Sequence, residues 1–312
     1  MTRCLVTGVA GFVGSHLAET LLAQGHDVVG VDCFTDYYPR PIKEANLRGA
    51  LAHPRFVFHE ADLRTAPLEP ILEGVDWVVN EAAFAGLQRS WSDFDSYVTC
   101  NVQALQRLLD GARHAGVSRF VQASTSSVYG LQAVGDETQP TRPASPYGVT
   151  KLAAEHLILA HLDSYGFPAV ILRYFSIFGP RQRPDMGYHL FIEAMLDGRT
   201  ITVFGDGEQS RSNTYVDDAV AGTIAALQQG AVGEVYNIGG GEPITVNEAI
   251  VVLAETLGVE PRVERGEPRR GDQRHTMADT SKARAAFGYE PRVSPKEGLA
   301  RQAAWQRAAR LG

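Results

Sequence analysis

Residues 3–32 read RCLVTGVAGFVGSHLAETLLAQGHDVVGVD. Residues 3–7 form a short apolar run, and a turn with glycine at positions 8, 11 and 14 follows it. Phe12, Val13, Leu17, Leu21 and Leu22 recur at helical spacing, Gly25 ends that helix, and Asp27 to Asp32 (DVVGVD) reads as a second strand. The pattern is strand, turn, helix, strand. It continues down the chain, with strands expected over 55–59, 76–79, 119–124 and 169–174 and long helices over 98–115 and 147–165. Strands alternating with helices predict a mostly parallel sheet covered on both faces. Right-handed crossovers make that sheet doubly wound. Beyond about residue 175 the alternation loosens, and residues 176–188 and 261–276 are rich in Gly, Pro and Arg.

Composition narrows the function. At 312 residues the chain can bury a full core without disulfides. Its 44% hydrophobic and 21% charged content excludes wholesale disorder. Asp plus Glu outnumber Lys plus Arg by 36 to 29, with no basic stripe. That balance argues against nucleic acid or an anionic membrane as partner. Cys4, Cys33 and Cys100 make no CxxC pair and no zinc-ligand spacing, so no metal site is expected. They read as buried thiols of a reduced compartment. The N-terminus enters an apolar run at once, which leaves no room for a signal peptide. No apolar run reaches the ~20 residues of a membrane span. A soluble, cytoplasmic protein is expected.

The Gly8-x-x-Gly11-x-x-Gly14 turn sits between a strand and a helix, where a dinucleotide pyrophosphate would bind. Gly8 permits the tight turn, Gly11 lets backbone N–H groups approach the phosphates, and Gly14 lets helix and strand pack closely. Phe12 and Val13 open the helix, whose N-terminus favours an anion. Asp32 ends the second strand, 18 residues beyond Gly14. A carboxylate there accepts hydrogen bonds from ribose hydroxyls and repels a 2′-phosphate. Cys33 and Phe34 follow it rather than an arginine, so NAD is expected over NADP. Asp62 and Leu63 follow the third strand and are placed to meet the adenine. The fold class expected is α/β: a Rossmann domain over 1–175, with returns from the C-terminal half, and a smaller substrate-binding domain mainly over 176–312.

Residues 124–130 read STSSVYG directly after a strand, and Tyr147-Gly148-Val149-Thr150-Lys151 follows. Tyr147 and Lys151 at i, i+4 share one helix face. A phenol has a free pKa of about 10, and lowering it to 7 requires about 4 kcal/mol. One ammonium at ~4 Å and an effective dielectric of ~20 supplies roughly that energy. Tyr147 is thus the candidate base and Lys151 its charge partner.

With these motifs in place the chain resembles the extended short-chain dehydrogenase/reductases that act on nucleotide-sugars. TGVAGFVG (7–14), STSSVYG (124–130), YGVTK (147–151), RYFSIFGPRQRPDMG (173–187), VFGDGEQSRSNTYVDD (203–218) and RRGDQRHTMAD (269–279) carry the resemblance over nearly the whole length. Within that family DCFTDYY (32–38), AGLQRS (85–90) and GPRQRPDM (179–186) are most similar to the UDP-glucuronate 4-epimerases. The resemblance implies that Thr125 shares the sugar O4 proton with Tyr147. Asn101, Phe175 and the 82–86 turn, with Ala82 and Ala83, would line NAD, and Gly86 would reach the sugar. Val203 and Phe204 would hold uracil by backbone contacts. Arg211 and Arg269 would grip the diphosphate and Asp272 the uridine ribose. A homodimer is implied too, pairing helices 98–115 and 147–165 as a four-helix bundle. Leu105, Leu108, Leu109, Leu152, Leu157, Ile158 and Leu159 lie on those helices.

The implied reaction is an isomerisation. C4 of UDP-glucuronate is oxidised to a transient ketone and reduced on the other face, giving UDP-galacturonate without loss of CO₂. Ser126, Ser127 and Ser176 are neutral hydrogen-bonding candidates for holding the carboxylate, with Arg89 or Arg183 as its charge partner. Two departures bear on this reading. Ser176 stands where UDP-galactose epimerases carry Asn, and Ser127 where decarboxylating relatives carry Glu. A third departure is Asn80-Glu81-Ala82-Ala83, where many relatives start an HxAA-like stretch with His. The alternatives are UDP-glucuronate decarboxylase and UDP-glucose/galactose 4-epimerase. A non-catalytic NAD sensor would have lost Tyr147 or Lys151, and a serine hydrolase would need a GxSxG elbow, which is absent.

Overall fold

The computed structural model describes residues 2–268 and 273–310. Seven parallel strands form the central sheet: β1 (Arg3–Thr7), β2 (Asp27–Asp32), β3 (Phe56–Glu60), β4 (Trp77–Asn80), β5 (Arg119–Thr125), β6 (Ala169–Tyr174) and β7 (Val235–Ile238). Their spatial order is β7-β6-β5-β4-β1-β2-β3. The order reverses beside β1, and a cleft opens at the carboxyl ends of the strands there.

Each inner strand is buried on both faces and divides its side chains between two cores. On β1, Cys4 and Val6 join the core beneath helices Phe12–Ala23 and Val216–Gln229, while Leu5 joins the opposite one. That second core holds Val29, Val78, Phe120 and Ile171 against helices Ala104–His114 and Pro146–Tyr165. Leu105, Leu108, Leu109 and Ile158 are part of it. These four side chains pack within the chain, so they do not form a dimer face.

Helix Pro146–Tyr165 has both ends specified by sequence. Ser145 Oγ accepts from the Gly148 amide at 3.1 Å, Pro146 occupies the first turn, and Gly166 closes the helix at φ +64°. The helix expected over 98–115 differs. It is an α-helical turn Phe94–Val98, a π-turn Thr99–Gln103 and then Ala104–His114. The π-turn inserts an extra residue, and Asn101 is buried within it. Apolar periodicity carries no signal for such an insertion.

The two halves of the chain exchange strands. Val235–Ile238 returns to the central sheet, while Ala133–Gly135 leaves it to pair with His275–Ala278. Ser210–Arg211 and Ile244–Thr245 complete that four-stranded sheet. The segment after β6 is tied back to the glycine-rich helix. His16 Nε2 bonds the Pro180 carbonyl at 3.0 Å, and Arg181 pairs with Glu19 at 2.9 Å.

A buried ion pair fixes helix Pro146–Tyr165 on the sheet. Arg173 of β6 meets Glu155 at 2.7 Å, and Glu155 also accepts from the Ser124 hydroxyl of β5 at 2.5 Å. Arg173 donates further to the Tyr129 hydroxyl at 2.9 Å, which donates to Asn237 of β7 at 2.8 Å. Both charged side chains are almost fully buried. Removing one charge leaves the other buried and uncompensated. Glu155→Gln is therefore expected to lower unfolding stability by about 3–5 kcal/mol, read from the midpoint of urea denaturation.

Candidate active site

The cleft has a volume of about 1250 Å³. Gly8, Gly11, Phe12, Val13 and Gly14 form its floor at one end. Gly8 sits at φ +65°, and a β-carbon there would lie 2.9 Å from the Ala82 backbone. A β-carbon at Gly14 would run into the Gly8 carbonyl. The turn therefore leaves a cradle that only glycine keeps open, at a helix N-terminus, which suits a pyrophosphate. Asp32 lines the same end and anchors the surrounding loop. Its carboxylate accepts from the Phe34 amide at 2.8 Å and the Ala10 amide at 3.1 Å. Burial pushes its pKa up, opposed by those amides and by the charge of Lys43. Each carboxylate oxygen keeps a lone pair for a ribose hydroxyl. Cys33, Asp62, Leu63 and Cys100 border this corner. Cys33 and Cys100 thus face the cleft, and Cys4 alone of the three thiols is buried in the core.

At the other end Tyr147 and Lys151 project from their helix opposite the carboxyl end of β5. The Thr125 hydroxyl is close enough to the Tyr147 phenol to act on its titration. Burial is the largest influence on that phenol and pushes its pKa up, with Thr125 and then the Arg183 guanidinium pulling it down. The expected dominance of a Lys151 charge is thus not what this site shows. Lys151 is itself pushed down to about 8 by burial, with Glu81 and Glu155 opposing. Ser126, Ser127 and Ser176 share the wall with Thr125, and Ala82, Ala83 and Gly86 form the facing turn. Ser176 holds a left-handed backbone at φ +29°, uncommon for a residue with a side chain.

The structure separates the two candidate arginines. Arg183 is gripped by Asp185 at 2.9 Å, stacks 5.2 Å from the Tyr37 ring, and acts electrostatically on Tyr147. Arg89 pairs with Asp93 at 3.1 Å and lies over Tyr37 and Phe84. Both border the cleft, as does Arg211.

Four expected residues do not line the cleft. Asn101 is buried, and its amide clamps both backbone groups of Phe84 at 2.8 and 2.9 Å and reaches Thr150 at 3.1 Å. It holds the 82–86 turn from behind. Phe175 is buried in a small core with Val128, Tyr129 and Ala133. Val203 is a core residue of the strand Ile201–Phe204, which pairs with Val263–Gly266, and the Phe204 carbonyl accepts from Gln209 at 3.1 Å. Arg269 and Asp272 lie outside the described residues. Tyr37, Tyr38, Lys43, Glu81, Tyr174, Asp185 and Gln273 line the cleft without having been singled out in sequence. Tyr37 and Asp185 stand inside the DCFTDYY and GPRQRPDM stretches, so the signal was present. Lys43 is brought to Asp32 by helix Arg40–Leu51, which the residues adjacent to Asp32 could not reveal.

The family model of the NAD dependent epimerase/dehydratase family matches residues 4–239. The chain belongs to this family. It is 43% identical over 307 residues to an uncharacterised UDP-glucose epimerase of Bacillus subtilis, covering 97% of each chain. It is 39% identical over 311 residues to a dTDP-glucose 4,6-dehydratase of Streptomyces griseus, covering 97% of this chain and 94% of that one. Among solved structures it matches the UDP-glucuronic acid 4-epimerase of Bacillus cereus, crystallised with UDP-glucuronic acid and NAD. There the TM-score is 0.96 at 40% identity, covering 99% of this chain and 100% of that one. NAD is the cofactor of the family, and the glycine cradle and Asp32 fit it. No helix among the described residues is long and apolar enough to cross a membrane.

Asp32→Ala is expected to weaken NAD⁺ binding and to narrow the preference for NAD⁺ over NADP⁺, both read by titration calorimetry. Equal affinity of the unaltered protein for the two cofactors would refute the role given to Asp32.

Proposed function

We propose that the protein interconverts UDP-glucuronate and UDP-galacturonate by 4-epimerisation with the carboxylate retained. The observation that carries the reading is the position of Arg183. It lies in the cleft, held by Asp185, close enough to Tyr147 for its charge to act on the phenol. A substrate whose O4 meets Tyr147 would present its neighbouring C5 carboxylate toward that guanidinium and the hydroxyls of Thr125, Ser126, Ser127 and Ser176.

NAD, when bound, supplies the oxidation at C4 and its reversal. The remaining work belongs to the chain. Tyr147 takes the O4 proton as general base and returns it as general acid, with the Thr125 hydroxyl bridging phenol and sugar. Lys151, with a pKa pushed down to about 8 and so still charged at neutral pH, would bind the cofactor's ribose. The glycine cradle and Asp32 would hold one end of the cofactor, so that the reacting carbon is positioned rather than met by diffusion. A 4-keto uronate is a β-keto acid and loses CO₂ when its carboxylate bond aligns with the ketone π system. Several hydrogen bonds to a charged carboxylate, each worth about 1.5–3 kcal/mol, hold it out of that alignment. The dehydratase reaction of other family members needs acid and base groups at C5 and C6. The wall beside Thr125 offers serine hydroxyls at 126 and 127 instead.

The homodimer implied by the resemblance is also a proposal. Val149 and Tyr165 are exposed apolar side chains on helix Pro146–Tyr165, and they suit a partner copy. Light scattering at twice 33.9 kDa would support it, and at 33.9 kDa would refute it.

Two measurements test the reaction. Tyr147→Phe is expected to lose more than 90% of kcat while still binding substrate, a barrier increase above about 1.4 kcal/mol. NMR of the equilibrated product from UDP-glucuronate is expected to show UDP-galacturonate. UDP-xylose or a 4-keto-pentose as the main species would overturn the assignment, as would far faster turnover of UDP-galactose. Arg183→Ala is expected to lower kcat/KM for the uronate by about 10- to 150-fold, equivalent to one charged hydrogen bond of about 1.5–3 kcal/mol.

A further inference from the structure

Residues 33–39 join β2 to helix Arg40–Leu51 without forming a helix or strand. Cys33, Thr35, Tyr37 and Tyr38 of this segment border the cleft. The end nearest β2 is firmly held. The Asp32 carboxylate accepts from the Phe34 amide at 2.8 Å. Lys43 is buried, donates to the Thr35 carbonyl at 2.5 Å, and lies 4.6 Å from the centre of the Tyr38 ring. Phe34 takes a left-handed backbone at φ +48°, and the Arg40 guanidinium covers its ring at 4.2 Å. The segment is thus a strap of defined shape, anchored at the Asp32 corner.

The tip of the strap is Tyr37, which meets two other elements of the cleft. Its ring packs edge-to-face on Phe84 at 5.3 Å. Its hydroxyl donates to Asp185 at 3.4 Å. The guanidinium groups of Arg89 and Arg183 lie 5.0 and 5.2 Å from the same ring. A β-carbon at Gly86 would run into the Tyr37 hydroxyl, so the turn after β4 has a place for this side chain that glycine keeps open. That turn is rigid. Asn101 clamps Phe84, and the buried Tyr97 donates to the Gly86 carbonyl at 2.8 Å. The strap therefore runs from the adenosine corner to the 82–86 turn and to the Arg183–Asp185 pair.

We propose that residues 33–39 retain the cofactor, with Tyr37 as the latch that joins the strap to the 82–86 turn and to Asp185, and that this latch must open for NAD to leave. One long hydrogen bond and a set of ring contacts are weak enough to open and close reversibly. Retention has a use. A reaction that withdraws hydride at C4 and then restores it fails if the cofactor departs between the two steps. That use rests on the 4-epimerisation proposed above, whereas the release rate of NAD does not.

Release is read from protein loaded with radiolabelled NAD⁺ and chased with excess unlabelled NAD⁺. Tyr37→Phe keeps the ring and loses the hydroxyl, and it is expected to release label about fivefold faster. Tyr37→Ala loses both and should release it faster still. Asp185→Ala removes the same hydrogen bond from the other side and should also accelerate release. Tyr37→Phe and Asp185→Ala combined are expected to be no faster than the faster of the two alone. Each variant should still bind one NAD⁺ per chain, which partial unfolding would lower. Unchanged release in Tyr37→Ala overturns the proposal, as do effects of Tyr37→Phe and Asp185→Ala that multiply when combined. UDP-xylose as the product from UDP-glucuronate would instead overturn the 4-epimerase reading and leave the release rates as an independent result.

Discussion

The buried Glu155–Arg173 pair is the interaction on which the rest of the site depends. Glu155 lies one turn beyond Lys151 and two turns beyond Tyr147 on the same helix, and Arg173 lies in β6. Ser124, adjacent to Thr125, donates to the same carboxylate. One carboxylate thus holds the helix that carries Tyr147, the strand that carries the hydroxyl wall, and the neighbouring strand in a single arrangement. Such a pair contributes little net stability relative to a well-packed apolar pair, and breaking it is costly. Its value here is geometric. A shift of the helix would move Tyr147 away from Thr125 without unfolding anything.

Electrostatics in the cleft follow from burial more than from proximity of opposite charges. Burial is the first influence on Asp32, Glu81, Tyr147 and Lys151, and it disfavours the charged form of each. Cations that oppose it come from different elements: Lys43 acts on Asp32 and Arg183 on Tyr147. The site is thus poised for incoming charge. Lys151 and the Arg183–Asp185 pair stay charged at neutral pH, whereas burial keeps the Tyr147 phenol protonated.

Much of this was legible in sequence because it is local. The βαβ period, the three glycines, Asp32 at the end of β2, and Tyr147 and Lys151 at i, i+4 all follow from short-range rules, and the cleft collects them. Tyr37 and Asp185 lay in stretches that carried the family resemblance, but a stretch does not say which of its side chains turns inward. Asn101 illustrates the limit. The family resemblance placed it against the cofactor, yet it is buried in a π-turn behind the 82–86 turn, where it fixes the backbone.

The sequence by itself determined the parallel sheet, the glycine cradle and the placing of Tyr147 and Lys151 on one helix face, because each depends on backbone geometry or spacing within a single element. Tertiary structure alone decided that Arg183 shares the cleft with Tyr147, which apolar residues are core, and that Asn101 lies behind the 82–86 turn. Arg183 and Tyr147 are 36 positions apart, and Glu155 and Arg173 are 18 apart. Their relation exists only where the ends of β4, β5 and β6 converge. Strand order, rather than sequence distance, sets which charges share a low-dielectric space, and no periodicity encodes it.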